Sequence, residues 1–110
     1  MKKEVPVKTQ LLLLIRESVR PLAYKVSAIM EDHYTERKSL NPTEFVSILE
    51  LQASAETLVY MLDEFLQEAE EEKVEMLYLS SMEYKIILEL SKVAESSSRY
   101  NFSGISLRTH

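Results

Sequence analysis

Between Pro42 and Gly104 the chain contains neither glycine nor proline. Folds built on tight turns draw on both residues at their connections, so so long a stretch without either points to helix. One unbroken helix from Pro42 to Glu95 would run roughly 80 Å at 1.5 Å per residue. A domain of this size has a radius of gyration of about 13 Å. The stretch must therefore break without the usual punctuation. The acidic run QEAEEEKVE, from Gln67 to Glu75, is the expected place. Carboxylates oppose the macrodipole at a helix C-terminus and favour it at an N-terminus, so Glu70, Glu71 and Glu72 read as the start of a new helix. Ser80-Ser81-Met82-Glu83 has the Ser-x-x-Glu form of a capping box and is a competing start.

The start of the long stretch is sharply marked. In SLNPTEF, Asn41 suits an N-cap, Pro42 the first helical position and Glu44 the reciprocal cap. Ile48, Gln52, Ala55, Val59, Leu62, Leu66 and Ala69 then recur at heptad spacing, widened by Phe45, Leu51, Leu58 and Phe65 into the stripe of a bundle helix. Upstream, Leu11, Leu12, Ile15, Val19, Leu22, Val26, Ile29, Met30 and His33 share one side of a helical wheel. Pro21 lies within that pattern and predicts a break near residues 19–21. Downstream, Met76, Leu79, Met82, Ile86, Ile87, Leu90, Val93 and Ala94 form one broad face. The expectation is an all-α antiparallel bundle of three to four helices, at about 8–19, 21–38, 42–71 and 74–95. Residues 1–95 form a single domain. The irregular C-terminal tail, 96–110, is either flexible or docked through Tyr100 and Phe102.

Composition narrows the chemistry. The absence of cysteine removes disulfides, thiolate nucleophiles and Cys-based zinc sites. The run Leu11–Ile15 is too short for a secretory or membrane segment and no small-residue cleavage site follows, so a cytoplasmic protein is expected, with no membrane partner. Neither His33 nor His110 follows a glutamate at the Glu-x-x-His spacing of a dimetal bundle. His33 lies on the apolar stripe near a helix end and reads as a satisfied histidine or one that meets the C-terminal dipole. Glu-x-x-Glu occurs at 68/71 and 72/75, but the Glu-x-x-Asp half of a magnesium-binding helical pyrophosphohydrolase is missing, since no aspartate follows Asp63. No glycine loop exists to cradle a phosphate. The expectation is no catalytic residue, no metal and no cofactor.

Charge divides the chain. Residues 1–40 hold eight Lys/Arg and five Asp/Glu, while residues 41–95 hold three Lys and thirteen Asp/Glu. The basic residues Arg16, Arg20, Lys25, Arg37 and Lys38 are too scattered to neutralise a run of phosphates, so direct nucleic-acid binding is not expected. Glu68, Glu71, Glu72 and Glu75 form an acidic face suited to solubility or to a basic protein partner. Leu13 and Leu14 fall off the first stripe, and Leu77, Tyr84 and Leu88 off the last. These five are the expected dimer or partner surface. The functional expectation is a non-enzymatic helical interaction module, an adaptor, small chaperone or regulator, working as a homodimer. The alternative is an acidic inhibitor or antitoxin-like protein that covers a basic site. A helical-bundle enzyme using a metal or nucleotide ranks third.

Overall fold

Lys3 to Lys8 alternates Val5 and Val7 with Glu4, Pro6 and Lys8, a two-residue period that suits one buried sheet face. In the computed structural model, which describes residues 2–98, this segment is strand β1 (Lys3–Lys8). Helix α1 (Thr9–Tyr34), helix α2 (Pro42–Glu72), strand β2 (Met76–Ser80) and helix α3 (Ser81–Ser98) follow. The protein is mostly helical: three helices pack together, with a small two-stranded antiparallel sheet added. Beyond Ser98 the expected tail, with Tyr100 and Phe102, lies outside the described residues.

α1 and α2 are antiparallel. Arg16 reaches Asp63, Ser27 reaches Glu56 and His33 packs on Phe45, so numbers rise on one helix as they fall on the other. The expected break at 19–21 does not occur, because α1 runs through Pro21. Pro21 faces solvent, whereas Val19, Leu22 and Val26 are buried on the opposite side. Packing along that side offsets the backbone bond that proline removes. α1 also stops at Tyr34 rather than at residue 38. The Thr35 N–H donates to the Glu31 carbonyl, Glu36 takes a left-handed φ of 61°, and the N–H groups of Arg37 and Lys38 turn back to the Asp32 carbonyl. His33 Nδ1 accepts the Leu40 N–H at 3.0 Å, and its ring centre lies 4.9 Å from that of Phe45. The histidine thus closes the interhelix loop.

α2 begins as its sequence dictates. Asn41 Oδ1 accepts the Glu44 N–H at 2.8 Å, and Glu44 Oε1 accepts the Asn41 N–H at 3.1 Å. Its buried residues, Ile48, Leu51, Ala55, Leu58, Leu62, Phe65 and Ala69, repeat at heptad spacing along one face. Gln52 on the flank reaches Ser27 Oγ at 3.5 Å. By length and composition alone α2 is apolar enough to cross a membrane. In this fold its apolar face lies against the other two helices.

Glu70, Glu71 and Glu72 end α2; they do not begin a new helix. All three are solvated, and the dipole penalty there is only about 0.3–1 kcal/mol each. The helix stops at Lys73, which takes the left-handed conformation (φ 54°, ψ 46°). The Lys73 N–H donates to the Glu70 carbonyl and the Val74 N–H to the Ala69 carbonyl, the paired bonds of a Schellman turn. Residues 76–80 of the expected fourth helix are therefore strand. Val5 and Val7 pair with Leu79 and Leu77, and these four side chains turn towards the helices. Leu77 is 5% exposed and belongs to the core, which removes it from the expected partner surface. Met76 and Leu79 fit a helical stripe as well as a strand, an ambiguity inherent in short apolar runs.

α3 starts at the capping box. Ser80 Oγ accepts the Glu83 N–H at 3.1 Å, and Glu83 Oε1 accepts the Ser80 N–H at 2.8 Å. Lys3 Nζ reaches Glu83 Oε2, also at 3.1 Å, and ties the box to β1. Burial pushes the Glu83 carboxyl up, but the bonds from Ser80 and the Lys3 ammonium outweigh it and hold the group below the usual carboxylate range. A depressed acid contributes stability above its ordinary range and loses it as pH falls through its folded value. Glu83→Gln, which can keep the reciprocal cap but not the charge facing Lys3, is accordingly expected to cost at most about 1 kcal/mol at neutral pH. It should also flatten the acid limb of a stability–pH curve from urea melts; an unchanged acid limb would remove this role.

The molecule measures 45 × 22 × 21 Å with a radius of gyration of 16.0 Å. That exceeds the roughly 13 Å of a compact domain of this length. α2 alone accounts for the long axis.

Candidate functional site

The residues that fold leaves uncovered are concentrated on α1 and α3. Leu11, Leu13 and Leu14 stay 46%, 40% and 57% exposed, although Leu11 lies on the stripe expected to be buried. On α3 only Ile87 and Ala94 are buried among the apolar residues. Met82, Ile86 and Val93 share a second face by their four- and seven-residue spacing, and all three are exposed. The broad single face expected for this helix is thus half core and half surface. The inner line of α3 runs through Ile87 and Ala94.

A groove of about 350 Å³ separates α1 from α3. Leu14, Ile15, Val19 and Leu22 line one wall, and Ser91 and Ala94 the other. Ser91 Oγ donates to the Ile87 carbonyl at 2.6 Å, so its hydroxyl is satisfied within the helix and the wall is effectively apolar. Glu95 stands at the groove's rim. Small residues at 91 and 94 keep α3 low here, a signal that periodicity counts do not read.

The five-residue surface expected from the sequence is not one surface. Leu14 lines this groove, whereas Leu13 lines another with Gln10, Leu66 and Met76. Tyr84 is half-buried against the core, and Leu88 is 40% exposed. With Leu77 in the core, only Leu13, Leu14 and Leu88 are exposed.

Glu64, Glu68 and Glu71 share one face of α2 around Phe65. Gln67 Nε2 donates to Glu71 Oε1 at 3.3 Å. Glu72, the last residue of α2, and Glu75 beyond it continue the charge, and the Glu75 carbonyl accepts from the Thr9 N–H. Part of the charge division is settled internally: Asp63 holds both Arg16, at 3.2 Å, and Arg20, at 3.5 Å, across the α1–α2 contact. Such half-exposed pairs contribute about 0–1 kcal/mol. Among the described residues no three His, Asp or Glu side chains are grouped as a metal ion would require.

Compared with protein-family models, with curated proteins and with solved structures, the chain shows no match.

Proposed function

We propose that this chain is a non-enzymatic interaction module, an adaptor, small chaperone or regulator, that works as a homodimer and holds an apolar helix of another protein between α1 and α3. The observation that carries the reading is the α1–α3 groove, with Leu14 at its wall still 57% exposed after folding. Amphipathic helices bind by laying an apolar face into such a groove. Burying one leucine is worth about 1.5–3 kcal/mol, enough for a few such contacts to hold a partner.

The test is fluorescence anisotropy of a labelled, leucine-rich amphipathic peptide. Wild type is expected to bind it, and Leu14→Glu to bind it on the order of tenfold or more weakly while keeping its helical circular dichroism. A folded wild type that ignores the peptide, or a variant that binds as well, would overturn the reading.

The acidic face around Glu64, Glu68 and Glu71, with no Lys or Arg ion-paired to it among the described residues, favours a second reading as an inhibitor of a basic partner. Ionic strength separates the two. Capture of a basic site weakens steeply with salt, whereas an apolar groove is nearly insensitive to it.

A further inference from the structure

We infer that β2 is an open sheet edge and that a second copy of this chain pairs with it, joining the two sheets into one of four strands. The inference rests on the reading above, that the chain works as a homodimer, and assigns the contact that would make it one.

The direction of each backbone group follows from the ladder. Val5 pairs with Leu79 and Val7 with Leu77, and the Thr9 N–H donates to the Glu75 carbonyl at 2.9 Å. Antiparallel pairs alternate between hydrogen-bonded and non-hydrogen-bonded, so Thr9/Glu75, Val7/Leu77 and Val5/Leu79 are the bonded set. Pro6 agrees, since without an N–H it belongs opposite Tyr78 in a non-bonded pair. The N–H and C=O groups of Met76 and Tyr78 therefore point away from β1. Among the described residues no hydrogen bond reaches them. The next outward amide, that of Ser80, is taken by Glu83.

The two edges of the sheet are not equivalent. β1 is guarded by Pro6, by the charges of Lys3, Glu4 and Lys8, and by an irregularity between Lys3 and Val5. These are the devices that stop a strand from recruiting another. β2 has none of them: Met76 to Met82 contains neither charge nor proline. A two-stranded sheet is marginal by itself, and further strands stabilise it.

Charge selects the occupant. Residues 41–95 carry thirteen carboxylates against three lysines, so two copies meeting through the acidic faces of this half bring carboxylate against carboxylate. At β2 they do not. A two-fold axis through Leu77 sets Met76 opposite Tyr78 of the second copy, and Tyr78 opposite Met76 of the second copy. Both are hydrogen-bonded pairs, four bonds in all. On the outer face each Met76 thioether then lies beside a Tyr78 ring, a favourable contact for both.

The test combines sedimentation equilibrium with amide exchange followed by NMR. Wild type is expected to be a dimer in which the Met76 and Tyr78 amides are protected, and to lose that protection on dilution. Tyr78→Pro deletes an outward N–H in each copy and, like Pro6 on β1, leaves the intramolecular ladder intact. It should weaken self-association on the order of ten- to a hundredfold, while Tyr78→Phe leaves it unchanged. A monomeric wild type overturns the inference, and so does a foreign strand protecting these amides in a monomer. A dimer with both amides unprotected, or a folded Tyr78→Pro that dimerises as tightly as wild type, overturns it too. If Tyr78→Pro fails to fold, exchange in the wild type decides. A monomer that still binds the leucine-rich peptide leaves the groove standing without the edge. A protected dimer that ignores the peptide leaves the edge standing without the groove.

Discussion

Leu62→Ala is expected to destabilise the fold by about 3–4 kcal/mol, within the range for a large buried residue that leaves a cavity. Leu62 is fully buried, on the line Ile48, Ala55, Leu62 and Ala69 along α2. It follows the turn containing Leu58, also fully buried, and adjoins Asp63, which is bonded to Arg16 and Arg20 of α1. Those two ion pairs set Leu62 level with the Arg16–Arg20 turn of α1, so it lies inside the α1–α2 contact. Small domains hold only about 5–15 kcal/mol in total, so the loss removes a large fraction of it. Leu49 on the same helix is 40% exposed, and Leu49→Ala should cost well under about 1 kcal/mol. Urea melts at fixed protein concentration give the comparison. The midpoint of Leu62→Ala should fall with an unchanged slope. Equal losses at both positions would mean that the heptad line is not the core.

That line was legible in the sequence because a helix long enough to repeat its pattern several times averages out exceptions. The Asn41 capping box was legible for a different reason, since its three residues act locally on one another. What could not be read was decided by contacts between distant segments. MLYLS carries no intrinsic preference strong enough to choose strand over helix; it becomes β2 because Val5 and Val7 lie alongside it. The end of α2 had no glycine to announce it, and Lys73 takes the left-handed cap because the chain must turn there to reach β1. The macrodipole argument over Glu70–Glu72 failed on magnitude, for a screened term of under about 1 kcal/mol cannot outweigh strand pairing. The candidate site shows the same split. Leu14 as surplus apolar surface follows from its position on the wheel. Its wall on α3 does not, because which residues of α3 face α1 is decided by packing between segments far apart in the chain.

Pro21→Ala is expected to stabilise the protein by about 1–3 kcal/mol, the reverse of what most substitutions do. The helix passes through Pro21 unbroken, so the chain already bears the missing bond to the Glu17 carbonyl and the ring's crowding of that turn. Alanine restores the donor and relieves the crowding. Pro21 faces solvent, so alanine forfeits no burial. One term runs the other way: proline restricts the unfolded chain, and losing that restriction returns about 0.4–1 kcal/mol. At about 4–8 °C per kcal/mol for a domain of this size, thermal melts should show a rise of several degrees or more. An unchanged or lower melting temperature would carry a specific meaning. It would show that a bend at Pro21 shapes α1 to the core, with Val19, Leu22 and Val26 meeting α2 well only on a curved helix. In that case the substitution should also disturb the groove, since Val19 and Leu22 line it, and peptide binding would fall together with stability.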